Sequence, residues 1–91
     1  MEEFGLTKSQ RIRTQVTIHG QNYTITGTDS AEHVMKVAAL VDSKMKEISS
    51  INSNLDTSRL AVLTAVNAVH DLVKLQERYD RMEQELQRLK D

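Results

Sequence analysis

The feature that most constrains this chain is an apolar stripe in its C-terminal half. The gaps between its members alternate between four and three residues over nine positions, Ala61, Ala65, Ala68, Leu72, Leu75, Tyr79, Met82, Leu86 and Leu89. An average spacing of 3.5 residues is typical of a helix in a coiled coil. The sequence therefore predicts one long helix over residues 58–91 that pairs along this heptad stripe.

The length of this helix indicates what covers the heptad stripe. A helix over 58–91 extends about 50 Å, whereas a compact unit of about forty residues is only about 25 Å across. Roughly half of the helix must therefore project beyond the rest of the chain. The alternative, an ordinary helix folded back on its own sheet, is disfavoured by this length. We therefore predict that a second copy of the chain covers the projecting half and forms a homodimer.

The first half of the long helix is apolar on more than one side. A valine stripe, Val62, Val66, Val69 and Val73, and a short third stripe, Leu60 and Leu63, run beside the heptad stripe. We expect both to pack against the first helix and the hairpin of the same chain. Burial of the large side chains in the projecting half is largely offset by the cost of ordering its backbone. The head and the first half of the helix are therefore predicted to join the dimer interface, where the three alanines allow close approach.

Flanking charges favour a parallel pair of helices. With Leu72 at position a, Arg78 and Glu85 occupy g, and Glu83 and Lys90 occupy e. A parallel dimer then places Arg78 beside Glu83 and Glu85 beside Lys90 of the other copy. Exposed ion pairs are weak, and an antiparallel pair could also match charges. The parallel arrangement is therefore a preference and the antiparallel one stays open.

The first part of the chain alternates apolar and polar residues with a period of two. Residues 12–18 and 23–26 are rich in β-branched side chains, which predicts two strands. The sequence HGQN between them predicts a two-residue loop of Gly20 and Gln21, a type II′ turn with glycine first. Two antiparallel strands joined in this way form a β-hairpin.

A helix is predicted over about 30–50, from apolar residues at three- and four-residue steps: Val34, Val37, Ala38, Val41, Met45 and Ile48. Asp29 with Glu32 forms a candidate capping box, with Thr28 or Ser30 as alternative caps. Asp56, Thr57 or Ser58 can cap the next helix. The predicted fold is α+β: a flexible N-terminus at 1–11, a ββα head at 12–57, and a long helix at 58–91 that forms a parallel coiled coil.

Composition argues against several function classes. The 91 residues contain no cysteine and carry a net charge of −1, without a concentrated basic region for phosphate binding. His19, His33 and His70 lack the spacing of a metal site, and no glycine-rich phosphate loop or nucleophile-and-base arrangement is present. We expect neither an enzyme nor a metal or cofactor site. With no apolar run of about 20 residues and no signal-like start, a cytoplasmic protein that does not bind membranes is expected.

One alternative function uses the hairpin. A small dimeric nucleic-acid-binding regulator could read bases with a β-ribbon, through the outward side chains Arg13, Gln15, Thr17 and His19. Few lysines and arginines surround these positions, so nucleic acid is not the predicted partner.

Three stretches together resemble a known family. VTIHGQNYTITG contains the hairpin glycine, VAALVD lies in the first helix and LAVLTAVN in the second. In this order they closely resemble ZapA, a small bacterial cell-division family that binds the tubulin-like protein FtsZ. The resemblance covers residues 14–91 and is strongest to the versions from Gram-positive rods.

The resemblance implies both a function and a contact surface. ZapA proteins form dimers, in some members paired again into tetramers, and they join FtsZ filaments side by side to promote the Z ring at midcell. The family's FtsZ-facing surface, carried across, marks Gln21, Ser58 and Leu63, to which we add the neighbours Asn22 and Arg59. Whether this chain forms a dimer or a tetramer is left open.

Overall fold

The computed structural model describes residues 2–5 and 11–90. Within them the chain forms five elements: β1 Glu2–Gly5, β2 Ile12–Ile18, β3 Gln21–Gly27, α1 Ala31–Ile51 and α2 Thr57–Lys90. α1 packs against β2, and α2 packs against α1. The predicted α+β class, with a hairpin followed by two helices, is confirmed.

The sheet has one more strand than the sequence analysis predicts. β3 lies in the centre, antiparallel to β2 on one side and parallel to β1 on the other. Four residues are too few to show a period, and β1 is defined by its pairing with the edge of β3 that the hairpin leaves open. The segment expected to be flexible thus contains a strand at Glu2–Gly5, while its residues 1 and 6–10 lie outside the described residues.

The hairpin turn is displaced by one residue from its predicted position. Ile18 pairs with Gln21, so the two-residue loop consists of His19 and Gly20. Their φ angles are 52° and 74°, and two consecutive positive values identify a type I′ turn. The prediction of a type II′ loop of Gly20 and Gln21 is therefore wrong. Histidine only occasionally adopts positive φ, and here its amide donates a hydrogen bond to the Asp42 carboxylate at 2.9 Å.

One face of the hairpin forms the core with α1. Val16 lies opposite Tyr23, and Thr14 lies opposite Ile25. The core cluster consists of Val16 from β2 and Val34 and Ala38 from α1, with Ile18, Tyr23 and Ile25 packed against it. Thr14 is buried on this apolar face, and its hydroxyl has no hydrogen-bond partner among the described residues.

The N-terminal cap of α1 is Ser30 rather than Asp29. The Ser30 hydroxyl accepts a hydrogen bond from the amide of His33 at 3.1 Å, which satisfies one of the free amides of the first turn. The predicted apolar face is only partly covered by the same chain. Val34, Ala38 and Met45 are buried, whereas Val37 and Val41 are exposed.

α2 is anchored to the head at its first two turns. Asp56 caps it, because its carboxylate accepts a hydrogen bond from the amide of Arg59 at 2.8 Å. Leu60 and Thr64 are its only buried residues within 57–90, and they define the face that meets α1. Further along, Lys44 of α1 pairs with Asp71 at 3.2 Å, and this contact raises the pKa of the Lys44 ammonium.

The valine stripe is not packed against the same chain. Its four members lie on the side of α2 away from Leu60 and Thr64, and each remains between 49% and 62% exposed. The expectation that the hairpin and first helix bury this stripe is therefore wrong. The side of α2 that packs against α1 is the side that carries Leu60. Apolar periodicity alone cannot show which of the apolar stripes faces α1.

The molecule is elongated, with extents of 54 × 40 × 18 Å. α2 has 34 residues and accounts for most of this length, since a helix rises about 1.5 Å per residue. Among residues 2–5 and 11–90 no helix is both long and apolar enough to cross a bilayer.

Candidate interaction surfaces

The heptad stripe is exposed along its whole length. Its alanines are exposed, and its six larger members from Leu72 to Leu89 are between 55% and 75% exposed. Near the end of α2 the side chains of Tyr79, Met82, Leu86 and Leu89 line a shallow, almost wholly apolar depression. Contiguous apolar surface of this length marks an interaction site.

Polar contacts flank the heptad stripe within the same helix. The Tyr79 hydroxyl hydrogen-bonds the Glu83 carboxylate one turn later, which raises the pKa of this tyrosine. Arg88 pairs with Glu85 in the same way. These contacts orient two of the acidic side chains that the charge pattern assigns to the flanks of a dimer.

The hairpin turn is fixed by contacts on both sides. Asp42 of α1 accepts the hydrogen bond from the His19 amide and also pairs with Lys46 at 3.2 Å. The hydrogen bond from His19, supported by Lys46, lowers the pKa of Asp42. Within the hairpin, the Thr17 hydroxyl donates to the Asn22 side-chain oxygen at 2.8 Å. The turn is therefore held in one position relative to α1.

Gln21 and Asn22, both predicted to contact FtsZ, lie on opposite faces of the hairpin. Gln21 lines a cleft toward the start of α2, whereas Asn22 lines a polar depression beside Asp42 and Met35 of α1. Successive residues of a strand point to opposite sides of the sheet. The structure therefore places Gln21, but not Asn22, across the cleft from Thr57 and Ala61 at the start of α2.

The cleft beside Gln21 is called here the hairpin cleft. Its volume is about 300 Å³, and it is lined by Ile18, His19, Gln21, Tyr23, Ile25, Met45, Thr57 and Ala61. Most of this lining is apolar. The cleft lies between the hairpin and the first turns of α2, and Ala61 of the heptad stripe forms part of its wall.

The other three predicted contact residues share one surface. Ser58, Arg59 and Leu63 line an apolar depression of about 400 Å³ together with Leu55 and Val62. Leu55 was not predicted, because it lies in a polar, turn-rich stretch that indicates only a break between helices. An apolar residue just before a helix cap is a signal that could have found it.

Two further sequence hypotheses concern metals and nucleic acid. Among the residues that the structure describes, no group of three His, Asp or Glu side chains could hold a metal ion. Arg13, Gln15 and Thr17 alternate on one exposed face of β2, as the β-ribbon alternative requires. His19 departs from this alternation because it lies in the turn.

Comparisons with known proteins agree on one family. The family model described as cell division protein ZapA matches residues 14–91. A cell division protein ZapA from Geobacillus sp. (strain WCH70) is 54% identical over 86 residues, which cover 94% of this chain and 99% of that protein. The cell division protein ZapA of Bacillus anthracis is 47% identical over 79 residues, covering 87% of this chain and 89% of that protein.

A solved structure is similar as well. A ZapA mutant dimer from Geobacillus stearothermophilus superposes with a TM-score of 0.69 at 44% sequence identity. The match covers 90% of this chain and 95% of that one.

Proposed function

Because this chain belongs to the ZapA family of cell division proteins, we propose that it is a homodimer that cross-links FtsZ filaments and stabilises the Z ring. It acts in the cytoplasm at the midcell division site. FtsZ and a second copy of the chain are its partners.

The observation that carries this proposal is the exposed heptad stripe of α2. A helix that leaves six large apolar side chains more than half exposed needs a partner surface with the same spacing. A second α2 supplies that surface. The proposed dimer interface consists of Ala61, Ala65, Ala68, Leu72, Leu75, Tyr79, Met82, Leu86 and Leu89.

Dimerisation gives the molecule two heads, and two heads account for cross-linking. When both heads engage neighbouring filaments, the second contact forms at a high effective concentration, so each head can bind weakly by itself. The exposed stripe is therefore needed for the proposed activity, because a single copy would bind FtsZ without joining filaments.

The proposed FtsZ surface lies at the head. Gln21 lies at the tip of the hairpin, whereas Ser58, Arg59 and Leu63 line the apolar depression at the start of α2, which Leu55 extends. Arg59 has no ion pair within residues 11–90, so its guanidinium is available to a carboxylate of the partner. Asn22 can contribute only if the partner also reaches the opposite face of the hairpin.

Sedimentation of FtsZ polymers and light scattering test this function. The wild-type chain at near-stoichiometric amounts is expected to increase both signals. Leu86→Glu places a charge in the heptad stripe and should abolish bundling while a single head still binds, whereas the neighbouring Gln87→Glu should bundle normally. Leu63→Asp should weaken FtsZ binding without changing the dimer. If FtsZ assembly is indifferent to the wild-type chain, the proposed function is wrong.

A further inference from the structure

We infer that the hairpin cleft is completed by the second copy of the chain, whose Val62 closes it beside Thr57. This inference rests on the proposed homodimer and adds to it a contact between the two heads. The cleft is then part of the dimer rather than a site for a small ligand.

The cleft opens toward the position of the second helix. Ala61 lies both in the cleft wall and in the heptad stripe, so the two surfaces are continuous. Alanine at this position lets a neighbouring helix approach to the short end of the usual 8–10 Å interaxial range. A helix paired along the heptad stripe therefore passes directly beside the cleft mouth.

The heptad register identifies which residue of the second helix lies there. With Leu72 at position a, Thr57 falls at g and Val62 at e. In a parallel coiled coil each g residue faces the e residue five positions later on the other helix. Thr57 lines the cleft, so Val62 of the second copy lies at its mouth.

The residue types at the e and g positions change at the same point along α2. The first three e positions of α2 are Val62, Val69 and Gln76, and the g positions that they face are Thr57, Thr64 and Asp71. Thr64 is buried against α1, so Val69 would also meet the head of the other copy. Apolar e residues end at the polar pair of Gln76 and Asp71, and Asp71 also forms the ion pair with Lys44 of its own α1.

Burial explains why Val62 would occupy this position. Its side chain is 62% exposed in the single chain, whereas the cleft beside it is largely apolar and has a volume of about 300 Å³. Covering the mouth removes apolar surface of both copies from water, which favours association. Val62 also lines the apolar depression that contains Leu55. Its assignment to the dimer contact therefore excludes Val62 from the proposed FtsZ surface.

Val66 provides a matched control. It is one helical turn from Val62, has the same side chain and is 57% exposed. Position b points away from the second helix in a parallel pair, so Val66 does not reach the cleft.

Sedimentation equilibrium of the full chain tests the inference. Val62→Asp should raise the dimer dissociation constant at least about tenfold, since it removes a buried valine contact and introduces a charge. Val66→Asp should change it less than about threefold. Circular dichroism will show whether both variants keep their helix content.

A second measurement uses the absence of cysteine in the natural chain. A Thr57→Cys, Val62→Cys double variant should form covalent dimers with a short bismaleimide, because the two positions meet only between copies. A Thr57→Cys, Val66→Cys variant should form far fewer. Cross-linking of the cysteine variants tests the inference even if Val62→Asp perturbs folding.

The outcomes separate the inference from the proposed function. If the wild-type chain dimerises but both aspartate variants behave alike and the two cysteine variants cross-link equally, the cleft assignment is wrong and the dimer stands. If Val62→Asp leaves the dimer intact and weakens FtsZ binding, Val62 belongs to the FtsZ surface, and the assignment is again overturned. If the wild-type chain stays monomeric at all concentrations, both proposals fail.

Discussion

The backbone amide of His19 donates a hydrogen bond to Oδ1 of Asp42 across 2.9 Å. His19 is the first residue of the hairpin turn, and Asp42 lies in the middle of α1, 23 positions later in the chain. This contact joins the turn to the helix and satisfies an amide that the left-handed conformation of His19 leaves outside the strand pairing.

Asp42→Ala is expected to lower the melting temperature and to speed hydrogen exchange at the His19 amide. The substitution removes the only acceptor that the structure gives this amide within residues 11–90. Asp42→Asn keeps an oxygen in the same place and should have the smaller effect. Equal effects of the two substitutions would mean that the charge of Asp42, and not its hydrogen bond, is what stabilises the turn.

The same carboxylate should contribute to acid sensitivity. The hydrogen bond from His19, with Lys46 nearby, lowers the pKa of Asp42 in the folded chain. A depressed pKa stabilises the fold above the unfolded value of about 3.9, and the contribution is lost as pH falls through the folded value. The stability difference between wild type and Asp42→Asn should therefore shrink below about pH 4. Urea unfolding at pH 3 and pH 7 measures it, and a difference that grows on acidification would contradict the assignment.

Gly20→Ala should destabilise the chain by about 1 kcal/mol because the left-handed conformation is costly for alanine. The φ of Gly20 is 74°, and a Cβ placed there meets no heavy atom within 4 Å, so the cost is conformational rather than steric crowding. Gly20→Asn should lose less, since asparagine tolerates this region better. Urea denaturation provides the comparison, and a harmless alanine would argue against the type I′ turn.

Leu60 and Leu72 offer a matched pair on α2. Leu60 is 2% exposed where the helix meets α1, whereas Leu72 is 59% exposed on the heptad stripe. Leu60→Ala should cost about 2–5 kcal/mol in the free energy of unfolding. Leu72→Ala should leave the isolated head folded and should raise the dimer dissociation constant instead. Sedimentation equilibrium under native conditions distinguishes the two effects, because it measures the dimer dissociation constant separately from the free energy of unfolding.

A single cysteine tests the direction of the helix pair. In a parallel dimer the two copies of position 86 face each other, so Leu86→Cys should form a disulfide-linked dimer readily on oxidation. Gln87→Cys, one position along and turned outward, should link slowly. Non-reducing gel electrophoresis gives the answer. Equal, slow linking at both positions would favour the antiparallel pair.

The sequence was most informative where a pattern runs long. The heptad stripe spans nine positions, so the presence of α2 and its projection from the head could be predicted from spacing alone. The strands β2 and β3 likewise follow from alternation with β-branched residues. These features depend on a periodic pattern that recurs along the whole helix or strand.

The features that sequence reasoning missed depend on contacts between elements. β1 exists through its pairing with β3, and its four residues carry no period of their own. The turn of His19 and Gly20 is contacted by Asp42, which is distant in the chain. The orientation of α2 about its axis depends on Leu60 at the contact with α1, and it leaves exposed the valines that were expected to be buried.

The alternation of the hairpin has a consequence for any protein that grips its tip. Gln21 and Asn22 are adjacent in sequence, yet one borders the hairpin cleft and the other the depression beside α1. A flat surface can therefore reach only one of the two amides. A partner that contacts both side chains must reach both faces of the hairpin, so its binding surface must be a groove that encloses the tip.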